Sequence, residues 1–215
     1  MPKLLLATRN PAKVREYLLL LRGIPFQLTT LKEEGVNIPV KETGATLEEN
    51  ARLKATFYAG KSGLLTLADD SGLEVEALGG APGPLSARYA GEKSSDREKI
   101  VLLLSKLKDI PWEKRSARFR CVIALASPSG EVELFEGECS GFITFEPKGE
   151  QGFGYDPVFY LPELGKTMAE LSIEEKNKVS HRGKAAKKVQ QFLEGLSVEQ
   201  LHPHLASPFK GEELV

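Results

Sequence analysis

The sequence predicts an α/β fold built on a mixed β-sheet, from three observations. Apolar runs, Leu4 to Ala7 (LLLA) and Leu64 to Ala68, fit strands covered on both faces. Stretches with helical spacing of apolar residues separate them. Three shorter stretches in the second half mix polar and apolar residues in a way that suits antiparallel pairing.

The elements follow in order. Lys3 to Ala7 is the first core strand. Pro11 marks a helix start, Val14, Tyr17, Leu18 and Leu21 recur at helical spacing, and Gly23 ends that helix. Residues 24–45, with Pro25, Gly35, Pro39 and Gly44, read as irregular. Thr46 and Glu49 fit a capping box for a second helix carrying Leu47, Leu53, Phe57 and Tyr58, closed by Gly60 and Gly63. The run from Leu64 ends abruptly at Asp69 and Asp70. Residues 78–93 are Gly- and Pro-rich loop, and Ser95 caps a helix through Leu107. Phe119 to Ala126, Glu131 to Glu136 and Gly141 to Phe145 read as strands, the first two joined by a turn at Pro128 to Gly130. A loop over 147–157 precedes a helical part from about Thr167 to Leu196, with Ser172 and Glu175 as a further capping box. The pattern weakens beyond it, and His202, Pro203 and His204 read as part of a solvated tail.

Bulk properties bound the function. The 215 residues suit one domain or two joined lobes, since roughly 100–200 residues make a domain. Basic residues number 29 and acidic ones 30, and this near-balance argues against a nucleic-acid or anionic-membrane partner, which calls for a basic surplus. Cys121 and Cys139 have neither C-x-x-C nor zinc spacing and read as buried reduced thiols. The opening MPKLLLATRN lacks the long apolar region of a signal peptide, and no apolar run approaches the ~18 residues of a membrane span. The expected compartment is the cytoplasm.

Five clusters can carry chemistry. Thr8, Arg9, Asn10, Pro11, Ala12 and Lys13 lie between a strand and a helix, where first-turn amides and the helix dipole favour an anion. Asp69, Asp70, Ser71 and Gly72 end an apolar strand. Adjacent carboxylates there are costly unless something pairs with them, and Mg²⁺ takes one or two carboxylates plus substrate phosphates. Lys54 suits a phosphate, and Glu42 a metal. In Gly152-Phe153-Gly154-Tyr155-Asp156-Pro157 the glycines permit close approach, the rings offer stacking faces, and Asp156 can accept from a base edge or fix the loop. Lys176 and the Ser180-His181-Arg182-Gly183-Lys184 string can donate to carbonyl oxygens. Each cluster taken alone also suits an ordinary turn, cap or charged surface.

Together and in this order, the strings ATRNPAK, ETGATLEENARLKA, LADDSGLEV, GGAPGPLSARYAG, GFGYDPVF and SHRGKA resemble one family, the HAM1-like inosine/xanthosine triphosphate pyrophosphatases. The resemblance runs from Leu5 to about Leu196. It implies an elongated α/β fold with a long mixed sheet, residues 1–196 forming two lobes around a central nucleotide cleft and 197–215 a tail, and a homodimer. It implies hydrolysis of the non-standard purine triphosphates ITP, dITP, XTP and dXTP to monophosphate and pyrophosphate with Mg²⁺. The triphosphate is expected along Thr8 to Lys13 with Lys54. Asp70 is expected as metal ligand and proton acceptor, with Glu42 and Asp69 as further metal-ligand candidates. Ser71 is expected to touch the substrate, and Phe153, Gly154, Tyr155, Asp156, Lys176, His181 and Arg182 to surround the base. Lys41 departs from an acidic position seen in some relatives, and Leu85 from an aromatic one. The alternatives are a pyrophosphatase for other modified nucleotides and a nucleotide sensor without hydrolysis. The adjacent aspartates disfavour a sensor.

Overall fold

A computed structural model describes residues 1–195; the sequence boundary at 196, the tail 197–215 and its His-Pro-His string lie outside the described residues. The described chain forms one eight-stranded mixed sheet flanked by five α-helices. Its strands are β1 (Lys3–Leu6), β2 (Gln27–Thr30), β3 (Leu65–Val75), β4 (Pro82–Gly83), β5 (Ser116–Ala126), β6 (Val132–Ile143), β7 (Phe159–Leu161) and β8 (Lys166–Thr167). The helices are α1 (Pro11–Leu20), α2 (Leu47–Ser62), α3 (Asp96–Lys106), α4 (Ile173–Val179) and α5 (His181–Glu194). The sheet order is β2-β1-β3-β5-β6-β7-β8, with β4 pairing β3. β1 runs parallel to β2 and β3, and the remaining pairings are antiparallel.

Local chemistry sets most helix starts. Thr46, Ser95 and Ser172 are the N-caps of α2, α3 and α4, each in a complete capping box. Gly63 closes α2 in the left-handed conformation, whereas Gly60 lies inside the helix. Leu4, Leu5 and Leu6 are fully buried, as a strand covered on both faces requires.

Alternation along β3 divides the core. Leu67 faces α1 and α5 with Cys121 and Ile123, whereas Ala68 faces α2 with Val122 and Ala124. Farther along, Leu73 and Val75 join a third cluster with Leu103 of α3, Tyr155 and Phe159. Cys121 and Cys139 are free and buried. Among the described residues no helix is long and apolar enough to cross a membrane.

The structure corrects the expected elements in four places. Residues 27–30 form β2 inside the stretch expected to be irregular, held by pairing with β1 over four residues. β6 is one strand from Val132 to Ile143, not two. Gly137 does not break it: a Cβ there would collide with the His181 carbonyl oxygen, so this glycine lets α5 lie directly on the sheet. The C-terminal helical part is two helices, split at Ser180, which caps α5 by accepting from the Gly183 N–H; the short strand β8 already occupies Lys166–Thr167. Most consequential, β3 does not stop at Asp69 and Asp70 but continues through them to Val75, paired with β5 throughout.

Candidate active site

A break in strand pairing creates the site. β1 pairs with β3 only as far as Leu67, and β4 takes up the same edge at Leu73. Between them the edge of β3 that carries Asp69 to Gly72 is left open, outside the carboxyl end of β1, where open α/β sheets bind ligands. A cavity of about 430 Å³ occupies this opening. A larger hollow of about 990 Å³ lies along β5 and β6 near Cys139 and Phe142. Among the described residues its lining includes no buried polar atom lacking a partner, whereas the smaller cavity is lined by Asp69 and His181, which hold two such atoms. The smaller one is therefore the candidate site.

Strand alternation sends the two aspartates to opposite faces. Asp70 points toward α2, where Lys54 Nζ donates to its Oδ1 at 3.1 Å and Asn50 Nδ2 donates to its Oδ2 at 3.3 Å. Asn50 and Lys54 are one helical turn apart and share a face. Lys54 Nζ also reaches Glu42 Oε1 at 3.2 Å. Burial raises the Asp70 carboxyl above its ordinary value, against the pull of Lys54 and Lys13. Burial lowers Lys54, but Asp70 and Glu42 outweigh it and keep the ammonium charged. Two carboxylates thus converge on the Lys54 ammonium; they could hold a divalent cation only with ligands from a substrate, since among the described residues no cluster of three metal-binding side chains is present.

Asp69 points toward α1 and α5. Its Oδ2 accepts from Lys13 Nζ at 2.9 Å and from Arg182 Nε and Nη2 at 3.3 and 3.1 Å. Burial pushes this carboxyl up, but Lys13 and Arg182 overcome that and hold it well below the usual carboxylate range. Its Oδ1 is buried without a partner among the described residues. Cys121, whose thiol burial pushes up to about 12, stays protonated beside it.

Arg182 and Lys176 share a second carboxylate, Glu16 of α1. Arg182 Nη1 reaches Glu16 Oε2 at 2.8 Å, and Lys176 Nζ reaches Oε1 at 2.9 Å. Arg182 Nη2 also donates to Ser71 Oγ at 2.9 Å. Lys176 donates to Asp156 Oδ2 at 2.5 Å, and the same oxygen accepts the Phe153 N–H at 2.8 Å. Gly152, with φ +76°, permits this loop, because a Cβ there would collide with that oxygen. The Phe153 ring lies 4.6 Å from Lys176 and 5.5 Å from Arg182, within cation–π range of both.

Not every expected residue reaches the cavity. Thr8, Asn10 and Lys13 line it, whereas Arg9 is exposed and neither it nor Pro11 nor Ala12 contributes to the lining. The first-turn amides of Ala12 and Lys13 already donate to Asn10 Oδ1. Phe153 and Tyr155 were both expected as stacking faces. Both line the cavity: Phe153 is half-buried, whereas Tyr155 is buried, packs into the core and donates from its hydroxyl to the Ser86 carbonyl, so it also braces the loop. Glu42, Lys54, Asp69, Asp70, Ser71, Gly154, Asp156, Lys176, His181 and Arg182 all line the cavity.

His181 is buried and stacked on Phe119, with ring centroids 4.7 Å apart and planes 14° apart. Its Nδ1 has no partner among the described residues. Burial, with Arg182 and Lys176 beside it, pushes its pKa well below the ordinary value, so the ring is neutral. The unfolded chain takes up a proton as pH falls below about 6.5, whereas folded His181 refuses it, so stability falls with falling pH. His181 is the only histidine among residues 1–195. Between pH 7 and 5.5 it is expected to remove about 1 kcal/mol of stability, a component that His181→Gln lacks. Denaturant unfolding of both proteins at the two pH values checks this; equal losses would contradict a neutral buried ring.

Sequence reasoning missed Glu16, Asn50, Phe119, Asp96 and Lys99. Glu16 had a local signal, an acid next to Tyr17 on the buried face of α1. Asn50 sits between Leu47 and Ala51 on the buried face of α2. Phe119, Asp96 and Lys99 had none, because only folding carries β5 and α3 to the cavity.

Comparisons with known proteins identify the family. The Ham1 family model matches residues 4–192. The chain belongs to the Ham1 family. A relative from Desulforamulus reducens, named dITP/XTP pyrophosphatase, is 50% identical over 92% of this chain and 98% of its own. One of the same name from Thermus thermophilus is 53% identical over 85% of this chain and 87% of its own. The solved structure of a HAM1 protein from Coxiella burnetii superposes with a TM-score of 0.82 at 42% identity, covering 90% of this chain and 98% of that one. The Ham1 match spans every cavity residue described above, from Ala7 to Arg182.

Proposed function

We propose that this chain hydrolyses ITP, dITP, XTP and dXTP to the nucleoside monophosphate and pyrophosphate, clearing them from the cytoplasmic nucleotide pool. One observation carries the reading: a single cavity joins a carboxylate–ammonium cluster, Asp70, Glu42 and Lys54, to an aromatic and cationic pocket, Phe153, Phe119, His181 and Arg182. Along the paired strands, Asp70 lies opposite Val122, three residues from Phe119. The backbone positions are thus roughly 10 Å apart along the strand. The relatives' names support the same substrates.

Asp70 and Glu42 would hold Mg²⁺, which when bound neutralises charge on the phosphate oxygens. Asp70, its proton affinity raised by burial, accepts a proton from the attacking water. The bond between the first and second phosphates breaks, and water supplies the oxygen and protons of the two products. Lys13 and Lys54 stabilise the negative charge that develops, in positions already fixed by Asp69 and Asp70. Asp69 acts through Lys13 and Arg182, since it faces away from Glu42 and Asp70. Ser71, tied to Arg182, touches the sugar side of the substrate.

Base selection rests on the six-position of the purine. Hypoxanthine and xanthine present a carbonyl, which can accept from Arg182 or His181. Adenine presents an amino group, which sets donor against donor and leaves buried groups unpaired. As the resemblance implies, the protein works as a homodimer. The experiment that tests the reading is pyrophosphate release from ITP with and without Mg²⁺, beside XTP, GTP and ATP as competitors. Magnesium-dependent pyrophosphate release, with ATP the poorer substrate, is expected. Release of orthophosphate alone would overturn the reaction, and equal turnover of ATP and ITP would overturn the base assignment.

A further inference from the structure

We infer that Asp96 and Lys99 of α3 form a latch that positions the Phe153–Gly154 loop and so sets affinity for the base; the affinity part rests on the function proposed above. Two successive amides of this loop each donate to a carboxylate. The Phe153 N–H donates to Asp156 Oδ2 at 2.8 Å, and the Gly154 N–H donates to Asp96 Oδ2 at 2.6 Å. Each carboxylate is in turn held by a lysine that folding buries. Asp156 has Lys176, and Asp96 Oδ1 has Lys99 Nζ at 2.6 Å. Lys99 is only 9% exposed.

The two anchors differ in where they come from. Asp156 belongs to the loop itself, so its bond shapes the loop without placing it. Asp96 opens α3, 58 residues away in sequence, and its bond ties the loop to a separate helix. Burial pushes the Asp96 carboxyl up, but Lys99 and the Gly154 amide outweigh it and keep it ionised. An ionised acceptor at a helix start also suits the helix dipole. Gly154 adopts φ +64°, so the segment has wide conformational freedom to lose, and the latch is what removes it from outside. Phe153, the neighbour of that amide, is the half-buried ring that stands over Lys176 and Arg182. Asp96 is thus a positioning residue for the stacking face. Among the described residues Asp96 and Lys99 bond neither Asp70 nor Lys54, which bond each other.

The test uses Asp96→Ala and Asp96→Asn in the full chain. Amide exchange of residues 151–157, read by mass spectrometry without substrate, is expected to quicken at least about tenfold at Gly154 in Asp96→Ala, as loss of a charge-assisted hydrogen bond implies. Asp96→Asn, which keeps a carbonyl acceptor, is expected to restore most of the protection. With ITP, Asp96→Ala is expected to raise KM about tenfold with a much smaller change in kcat. Inhibition by inorganic pyrophosphate, which has no base, is expected to stay within about twofold of wild type. Exchange in Asp96→Ala equal to wild type overturns the latch. KM for ITP and inhibition by pyrophosphate weakening by the same factor overturns its link to the base. Wild-type protein that releases no pyrophosphate from ITP overturns the proposed function instead, and the exchange result still decides the latch.

Discussion

Asp70→Asn is expected to lower turnover of ITP at least about a hundredfold while nucleotide binding stays measurable. The amide has the shape of the carboxylate and keeps an oxygen for the Lys54 bond now at 3.1 Å, so the local geometry survives. Two properties are lost. The side chain no longer accepts a proton, a role that burial favours by raising the Asp70 carboxyl. It also no longer brings negative charge to the cluster, which leaves Glu42 to attract a cation alone. Lys13, Lys54 and the pocket around Phe153 still bind phosphate and base. Glu42 is a third exposed, so Glu42→Gln is expected to raise the magnesium requirement with a smaller loss of turnover. Steady-state kinetics and calorimetric binding of ITP separate these effects. Near-normal turnover in Asp70→Asn would remove Asp70 from catalysis.

Arg182→Met is expected to destabilise the fold by about 3–5 kcal/mol and lower Tm by roughly 10 °C. Arg182 is almost wholly buried and joins two carboxylates that are themselves buried, Asp69 and Glu16. Methionine fills similar space but leaves both acids short of a partner. Lys13 still serves Asp69 and Lys176 still serves Glu16, which keeps the loss at this scale rather than abolishing folding. Adding Glu16→Gln to Arg182→Met is expected to cost less than the sum of the single changes, because one unpaired charge is then removed. Thermal melts of the three variants check this. A melt of Arg182→Met within about 2 °C of wild type would show that the hub contributes little to stability.

The correction at β3 and these two variants have one physical origin. A pair of aspartates after an apolar run reads as a strand end, since burying them alone is costly. The strand continues because Lys13 from α1, Lys54 from α2 and Arg182 from α5 arrive at it from three separate helices. The two aspartates were legible as a site, and the family resemblance set Asp70 apart, but the residues themselves did not show that the two face opposite ways. Strand alternation assigns Asp70 to the open carboxylate cluster and Asp69 to the cationic hub, and alternation matters only once the segment is known to be a strand. The same limit applied to Tyr155, which lines the cavity as expected but is also held in the core and bonded to Ser86.

What was legible in the amino-acid order is what neighbouring residues settle among themselves. The capping boxes at Thr46, Ser95 and Ser172, the buried run of β1 and the turn at residues 128–130 all depend on short-range chemistry. Whatever needs a partner far along the chain emerged only on folding. β2 exists because β1 pairs with it, Gly137 matters because α5 rests on it, and Glu16 belongs to the site because Lys176 and Arg182 meet there. Backbone pairing and buried charge are satisfied by contacts that folding brings together, so their partners appear only when the chain is closed in space.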